Sequence, residues 1–254
     1  MNTDAYLNRM NYQGGLLSTA ETLRNLHLTH LYNVPFENLS IHAGEPIVLN
    51  DEALFTKIVS KRRGGFCYEL NGLFAALLRS LGFAVAMLSA GVARSERDFS
   101  PDFDHMTLMV TPSEEPARRW LVDVGFGDSF LEPLQLDESG EQFQGNQSFR
   151  IVAQKAHLIL MRRPAGEDWT ASYRFTLQPY VYADYEEMCH FHQTSPESHF
   201  TKGRICSLAT KNGRITLSDN RLITTSGDQR DERMVSSQEY DRILRDQFGI
   251  AMSN

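Results

Sequence analysis

Apolar residues in the first third of the chain recur every three or four positions, which is the spacing of amphipathic helices. The strongest pattern follows Gly64-Gly65 and ends at Gly82, and its apolar positions are Leu70, Leu73, Phe74, Leu77, Leu78 and Leu81. Earlier in the chain, Ser18-Thr-Ala-Glu21 has the form of a capping box and predicts a helix that ends at Pro35. We therefore predict a helical N-terminal segment whose longest apolar stripe is buried.

The pattern changes to short strands after Phe83. Six apolar segments follow, separated by Gly, Pro and acidic turns: FAVAML, HMTLMV, WLVDV, FRIVAQ, HLILMR and YRFTL. Further on, Asn212-Gly213 predicts a β-hairpin, and a final helix is predicted between Ser236 and Gly249. The chain is thus predicted to contain three parts: a helical bundle over 1–82, a β region over 83–185 and a mixed α/β region over 186–254.

Composition places the chain among ordinary globular proteins. Of its 254 residues, 41% are hydrophobic and 22% are charged, which disfavours disorder and fibrous repeats. Acidic residues outnumber basic ones by 32 to 25, and the net charge of −7 argues against nucleic acid or an anionic membrane as a partner. Three cysteines are too few for a disulfide framework, and neither a signal peptide nor a membrane span is predicted. We therefore predict a cytoplasmic protein.

Cys67 lies in Lys61-Arg-Arg-Gly-Gly-Phe-Cys67, at the first turn of the strongest predicted helix. A thiol in this position faces free backbone N–H groups and the positive end of the helix dipole, and both stabilise a thiolate. We expect Arg62 and Arg63 to add positive charge nearby. A lone cysteine is more often a small buried apolar residue, so the interpretation as a nucleophile requires a matching base.

His105 and Asp123 are a candidate base and its partner. His105 opens the predicted strand HMTLMV, and Asp123 interrupts the apolar strand WLVDV, after a polar turn centred near Glu114. In an antiparallel hairpin centred there, residues whose numbers add to 228 face each other, which pairs His105 with Asp123. A carboxylate beside a histidine fixes its tautomer and stabilises its charged form, so the pair supplies the base that Cys67 needs. Taken singly, His105 is more typical of a strand-end histidine that faces solvent, and Asp123 of a strand-terminal carboxylate before the Gly125-Phe-Gly127 turn.

Four segments, in the same order along the chain, resemble the arylamine N-acetyltransferase family. They are Pro35-Phe-Glu-Asn-Leu39, Arg63-Gly-Gly-Phe-Cys67 with Glu69-Leu-Asn71, Asp123-Val-Gly-Phe-Gly127 and Thr194-Ser-Pro-Glu-Ser-His-Phe200. His105 occupies the histidine position of the family. The resemblance implies an α+β multidomain fold of the cysteine-protease and transglutaminase type. Its parts are an N-terminal helical bundle carrying the nucleophile, a central antiparallel β barrel carrying the histidine and the aspartate, and a C-terminal α/β lid.

The same resemblance implies an activity. The family transfers an acetyl group from acetyl-CoA to a cysteine, and then to an arylamine, a hydrazine or an N-hydroxyarylamine, in a ping-pong scheme without a metal. The resemblance makes Cys67 the nucleophile, His105 the general base and acid, and Asp123 the residue that orients His105. The motif positions imply further roles: acceptor binding by Phe36 and Phe126, a bracing ion pair of Glu37 and Arg63, and CoA binding by Phe200, Gly127 and Lys202.

Two features depart from the family pattern and leave the acceptor preference open. Cys189 stands where the family often has asparagine, and the chain ends soon after Phe248, without the extension that many members carry. The phosphates of CoA need cations, and a basic cluster is expected around the Asn212 hairpin. Its members would be Lys202, Arg204, Lys211 and Arg214, although a solvated face of the hairpin explains the same charges equally well.

Two other functions stay open on the sequence alone. A cysteine peptidase or transglutaminase-like hydrolase would use the same three residues, although His105 follows Cys67 by 38 residues and papain-like enzymes separate the two by roughly 130–150. The second is a zinc-binding interaction module, built from residue types that bind zinc in a short span: Cys189, His190, His192, His199 and Cys206. The absence there of a C-x-x-C or H-x-x-x-H pair argues against zinc.

Overall fold

The computed structural model describes residues 1–95 and 98–251 of the chain. The helices span Thr3–Arg9 (α1), Ala20–Asn33 (α2), Leu39–His42 (α3), Asp51–Phe55 (α4), Cys67–Ser80 (α5), Tyr182–Thr194 (α6), His199–Lys202 (α7) and Ser237–Phe248 (α8). The strands span Phe36–Glu37 (β1), Ala84–Val92 (β2), His105–Thr111 (β3), Trp120–Val122 (β4), Leu134–Gln135 (β5), Gln142–Gln144 (β6), Gln147–Gln154 (β7), His157–Pro164 (β8), Thr170–Tyr180 (β9), Ile205–Thr210 (β10), Gly213–Ser218 (β11), Arg221–Ser226 (β12) and Gln229–Met234 (β13).

Helix α5 is the centre of the N-terminal part, as its apolar stripe predicts. Every residue from Cys67 to Leu78 is buried, the polar Glu69 and Asn71 included. The helix begins where the Glu69 carboxylate accepts the backbone N–H of Phe66 at 3.1 Å, which satisfies one of the free groups at the helix end. Burial on all sides makes α5 the rigid element from which the site is built.

The cap of helix α2 lies one residue later than predicted. Thr19 caps it, because its hydroxyl accepts the backbone N–H of Thr22 at 3.1 Å. The hydroxyl of Ser18 instead accepts the backbone N–H of Ser113 at 2.9 Å, in the turn after β3. Ser18 therefore ties the helical part to the β region rather than closing its own helix.

Strands β2 to β9 form one eight-stranded antiparallel sheet that curls into a nearly closed barrel, in the order β5-β4-β3-β2-β9-β8-β7-β6. Large apolar side chains fill its interior, among them Leu88, Leu121, Phe130, Phe149 and Phe175. Helix α5 packs against β2 and β3, so the barrel wall that carries His105 lies directly on the helix that carries Cys67. The predicted helical bundle and barrel are both present.

The pairing of β3 with β4 differs from the predicted register by two residues. Leu108 faces Val122, so paired residue numbers add to 230 rather than 228, because the intervening turn is centred on Glu115. A two-residue shift keeps every side chain on its predicted face of the sheet. His105 and Asp123 are therefore diagonal neighbours on one face and not directly opposed.

A second antiparallel sheet, in the order β1-β10-β11-β12-β13, makes up the C-terminal part together with α8. The predicted hairpin is present, but its two-residue turn is Lys211-Asn212, because Gly213 already pairs with Thr210. A side chain at position 213 would meet the carbonyl oxygen of Thr225 at 2.1 Å, and this close approach explains the glycine.

The division into 1–82, 83–185 and 186–254 stays a prediction, and two elements cross its boundaries. Strand β1 lies in the first range but pairs with β10 of the C-terminal sheet. Helix α6 runs through the boundary at residue 185. Within residues 1–95 and 98–251, no helix has the length and apolar character needed to cross a membrane.

Candidate active site

Cys67 is the first residue of α5, and only 3% of its surface is exposed. Burial raises the pKa of its thiol, and a hydrogen bond from the backbone N–H of Met106 counteracts part of that rise. The expectation that Arg62 and Arg63 add positive charge next to Cys67 is wrong. Arg62 is exposed, and the guanidinium of Arg63 binds Glu37 instead. Forming the thiolate therefore requires a base close to the thiol.

His105 and Asp123 are joined by a buried hydrogen bond, with 2.7 Å between Nε2 and Oδ2. Burial by itself would raise the pKa of the Asp123 carboxyl, but His105 and hydrogen bonds from Asn71 and Gly125 bring that pKa below its ordinary value. The Asp123 side chain is therefore a carboxylate. Since Nε2 is engaged, Nδ1 is the His105 nitrogen available for proton transfer in the cleft that His105 and Cys67 both line.

Asn71 fixes the carboxylate of Asp123, a role that no sequence pattern indicated. Its Nδ2 donates to Oδ1 of Asp123 at 2.9 Å and to the Met106 carbonyl at 2.6 Å. Its Oδ1 accepts the backbone N–H of Val124 at 2.9 Å. The available signals are its place in the family segment that contains Cys67 and its position four residues after Cys67, on the same face of a mostly apolar helix. Asn71 thus locks the nucleophile helix to the strand end that carries Asp123.

His27 of α2 holds the backbone of Asp123 from the other side. Its Nδ1 lies 2.8 Å from the Leu131 carbonyl oxygen, and its Nε2 lies 3.1 Å from the carbonyl oxygen and 3.3 Å from the backbone nitrogen of Asp123. Burial lowers the pKa of His27 to about 4, so the ring is neutral and donates through Nδ1 while it accepts through Nε2. Asp123 is thereby fixed by one helix through its backbone and by another through its side chain.

Glu37 and Arg63 form a buried ion pair behind the start of α5. Oε1 of Glu37 lies 3.0 Å from Nε and 2.9 Å from Nη2 of Arg63. Lys57 extends this network, since its Nζ lies 2.7 Å from Glu69 and 3.9 Å from Glu37. Glu69 also accepts the backbone N–H of Phe66. The four charges connect β1 and the loop before Cys67 to the first turn of the helix.

A cleft of about 410 Å³ opens onto Cys67 and His105. Three aromatic residues implied by the resemblance line it: Phe36, Phe126 and Phe200. The ring of Phe126 meets the His105 imidazole edge to face at 5.2 Å between centroids. Flat apolar walls beside a titratable pair suit a ligand with an aromatic ring and one polar group.

The other two residues implied for CoA, Gly127 and Lys202, are sequence neighbours of residues that line this cleft. Gly203 and Arg204 line it, and the adjacent Lys202 is exposed, with its Nζ 3.4 Å from the Glu197 carbonyl oxygen. Gly127 has a φ of +90°, a left-handed conformation that favours glycine. Lys202 thus directly precedes two cleft-lining residues, and Gly127 lies in the turn after Asp123, so their role in CoA binding stays a prediction.

The four basic residues expected to cluster around the hairpin lie at its two ends. Lys202 and Arg204 precede β10, whereas Lys211 and Arg214 lie about 20 Å away at roughly 3.3 Å per strand residue. The guanidinium of Arg214 is engaged, with Nε 3.3 Å from Oδ1 of Asp128. The expectation of one basic cluster is thus wrong, and Arg204 is the arginine that lines the cleft.

The residues of the alternative zinc site are dispersed. Cys189 packs in the core around α5, and Cys206 packs in the core of the C-terminal sheet. His192 contacts Asp104, while His199 lines the cleft. Across residues 1–95 and 98–251, no three His, Cys, Asp or Glu side chains are grouped so that they could hold a metal ion. The geometry does not support a zinc module.

Comparison with known proteins identifies the family. A family model described as N-acetyltransferase matches residues 19–254. The chain is 32% identical to the arylamine N-acetyltransferase pineal gland isozyme NAT-10 of Gallus gallus, over 99% of this chain and 95% of that protein. The chain belongs to the arylamine N-acetyltransferase family. It is also 30% identical to proansamycin X synthase of Amycolatopsis mediterranei, over 95% of this chain and 94% of that protein.

Solved arylamine N-acetyltransferase structures share the fold. The Mycobacterium marinum arylamine N-acetyltransferase in complex with CoA superposes with a TM-score of 0.90 at 30% identity, covering 98% of this chain and 93% of that one. The predicted α+β fold class and the predicted family are therefore confirmed. The protein is an acetyltransferase, which also confirms the predicted enzyme class.

Proposed function

We propose that the protein transfers the acetyl group of acetyl-CoA to an arylamine, a hydrazine or an N-hydroxyarylamine through an acetyl-cysteine at Cys67. The observation that carries the proposal is the single cleft lined by Cys67 and His105, with His105 held by Asp123 at 2.7 Å. The CoA complex of the M. marinum relative supports acetyl-CoA as co-substrate. The predicted cytoplasmic location goes with this proposal and stays a prediction.

In the first half-reaction the proton of the Cys67 thiol moves to Nδ1 of His105. The buried thiol does not ionise readily alone, so the thiolate forms as an ion pair with the imidazolium, which Asp123 stabilises. The thiolate attacks the thioester carbonyl, a new S–C bond forms, and the bond from the acetyl carbon to the CoA sulfur breaks. The departing CoA sulfur takes the proton from His105.

In the second half-reaction the acceptor amine attacks the acetyl-cysteine carbonyl. His105 accepts the proton that the amine loses, and the bond to the Cys67 sulfur breaks, which releases the acetylated amine. The proton then passes from His105 to the Cys67 sulfur and regenerates the thiol. Phe36 and Phe126 would hold the acceptor ring against the cleft wall. Phe200, Gly127 and Lys202 are the proposed CoA contacts, and the Glu37–Arg63 pair braces the helix start.

A cysteine hydrolase would use the same three residues, with water in place of the amine. The family match and the aromatic lining of the cleft both favour an amine acceptor over water. The two activities differ in one observable property, the lifetime of the acetyl-cysteine in the absence of an amine.

Intact-mass spectrometry tests the proposal. Acetyl-CoA alone should add one acetyl group to the wild-type protein, and an added arylamine should remove it. The Cys67→Ser variant should stay unmodified, while Cys189→Ser, which alters another buried thiol, should be acetylated like the wild type. An adduct that persists in Cys67→Ser would overturn the proposal. Loss of the adduct at the same rate with and without amine would indicate a hydrolase instead.

A further inference from the structure

A second histidine–aspartate pair, with the histidine buried and the aspartate partly buried, lies beside the catalytic residues and takes no part in the acetyl-transfer steps. His192 of α6 is 1% exposed, and its Nε2 lies 3.3 Å from Oδ1 of Asp104. Its Nδ1 lies 3.1 Å from Oγ of Ser198, which also accepts the backbone N–H of Phe200 at 3.2 Å. A continuous hydrogen-bonded chain therefore joins Asp104 to the segment that carries the cleft residue Phe200.

Asp104 directly precedes His105 and lines the same cleft as Cys67. The residue before it, Phe103, has a φ of +67°, a left-handed conformation that is unfavourable for a bulky side chain. Tyr68 donates to the Phe103 carbonyl at 2.6 Å, which holds this turn against α5. The backbone that leads into His105 is thus fixed from α5, and the side chain of Asp104 is fixed from α6.

The charge of Asp104 acts on the nucleophile. Burial would raise the pKa of Asp104, but hydrogen bonds from His192 and Ser100 lower it below its ordinary value, so the side chain is a carboxylate. That negative charge raises the pKa of the Cys67 thiol further, after the larger effect of burial. The titratable groups around Asp104 and Cys67 are Tyr68, His105, Asp123, Tyr185, Cys189, His192 and His199.

We propose that Asp104 and His192 are positioning residues whose pairing sets how readily the Cys67 thiol passes its proton to His105. His192 is anchored by Ser198, and its hydrogen bond offsets part of the negative charge of Asp104. Without that bond, the full charge of Asp104 would disfavour the Cys67 thiolate. The inference rests on the proposed role of Cys67 as nucleophile. It requires that loss of the Asp104 carboxylate and loss of the His192 ring move the pH at which Cys67 ionises in opposite directions. A merely structural role for the two residues would not produce opposite shifts.

The test is the pH profile of Cys67 alkylation by iodoacetamide, followed by mass spectrometry. In Asp104→Asn the midpoint should move down by roughly one pH unit, because a negative charge near the thiolate is removed. In His192→Leu the midpoint should move up, because the negative charge of Asp104 is no longer offset by a hydrogen-bond partner. Asp102→Asn is the matched control, two residues earlier on the same loop, with an exposed side chain 3.4 Å from Arg174, and its midpoint should not move.

Midpoints that move in the same direction in Asp104→Asn and His192→Leu, or that do not move in either, would overturn the inference. His192→Gln is a milder variant for the case that His192→Leu does not fold; it keeps an N–H donor, and it should give a smaller upward shift. An unchanged midpoint in His192→Gln together with an unchanged one in Asp104→Asn would also overturn it. Alkylation needs no acetyl-CoA, so absence of acetylation in the wild type would sink the proposed function separately.

Discussion

Nε2 of His105 lies 2.7 Å from Oδ2 of Asp123 although the two residues are diagonal, not direct, neighbours across strands β3 and β4. The contact survives a two-residue change of register because such a change leaves each side chain on its face of the sheet. What brings the carboxylate to the imidazole is the pair of anchors on Asp123, the Asn71 amide and the His27 ring. The geometry of the pair is therefore set by two helices as much as by the hairpin.

Asp123→Asn tests the orienting role of the carboxylate. The amide has nearly the same shape but no charge to stabilise the His105 imidazolium, so we expect acetylation of Cys67 to slow by about 10²- to 10⁴-fold and its alkylation by iodoacetamide at neutral pH to fall. Asp137→Asn, which alters an exposed carboxylate paired with Arg119, is the control and should have no effect. Full thiolate reactivity in Asp123→Asn would contradict the assigned role.

Asn71→Ala removes three buried hydrogen bonds at once and leaves the Val124 N–H without its acceptor. At about 1 kcal/mol per bond, with an added cost for the unsatisfied donor, we expect the free energy of unfolding to fall by about 3–4 kcal/mol. Urea denaturation at neutral pH measures this change. The exposed Asn8→Ala on α1 serves as the control, and a similar small effect in both variants would argue against the anchoring role.

Gly125→Ala tests the close approach between the Asp123 loop and the nucleophile. A Cβ at position 125 would lie 2.8 Å from Cα of Cys67 and 2.7 Å from Nδ2 of Asn71, and neither neighbour is free to move. We expect the strand end and the start of α5 to separate, with acetylation at least about tenfold slower. Single-turnover acetylation followed by mass spectrometry measures the rate. In Gly15→Ala the nearest atom to the added Cβ would be 3.9 Å away, so the acetylation rate should not change.

Arg63→Met tests the ion pair behind the catalytic helix. The substitution leaves the carboxylate of Glu37 buried with only Lys57, at 3.9 Å, as an opposite charge, so the free energy of unfolding should fall by about 3–5 kcal/mol. The double variant with Glu37→Gln should regain part of that loss, because the unpaired charge is gone. Arg119→Met breaks an exposed pair and should cost less than about 1 kcal/mol. Denaturant unfolding measures both changes, and equal losses of unfolding free energy in Arg63→Met and Arg119→Met would contradict the role of the buried pair.

The sequence predicts the elements whose cores are built from plainly apolar residues. The stripe of α5, six of the eight barrel strands and the final helix follow from spacing alone, whereas the short strands β5 and β6 do not. Helix α6 does not, because its buried face consists of Tyr185, Cys189 and His192, of which only the tyrosine is an obvious apolar marker. The spacing of those three residues is helical, yet two of them read as candidate zinc ligands until their contacts are known.

Prediction of the candidate site from the sequence is limited in the same way. Cys67, His105 and Asp123 are distinguished by residue type and by local position, so the sequence indicates them. The residues that hold Asp123 in place are not indicated in this way. Asn71 is 52 positions and His27 is 96 positions away from Asp123 in the sequence. No local pattern records which distant backbone a buried amide or imidazole will meet, and the Asp104–His192 contact spans 88 positions in the same way.

His27 should make the fold sensitive to acid. Its pKa is lowered by burial from 6.5 to about 4 in the folded protein, so the unfolded chain binds more protons between those two values. This stabilising contribution of about 3 kcal/mol is complete above about pH 6.5, declines as the pH falls from about 6.5 to 4, and is fully lost below about pH 4. Urea unfolding of the wild type at about pH 7, 6 and 5 should show this decline. His27→Gln keeps an acceptor for the Asp123 N–H and should show a shallower one, while the exposed His190→Gln should follow the wild type. Equal slopes in His27→Gln and the wild type would show that another group carries the acid sensitivity.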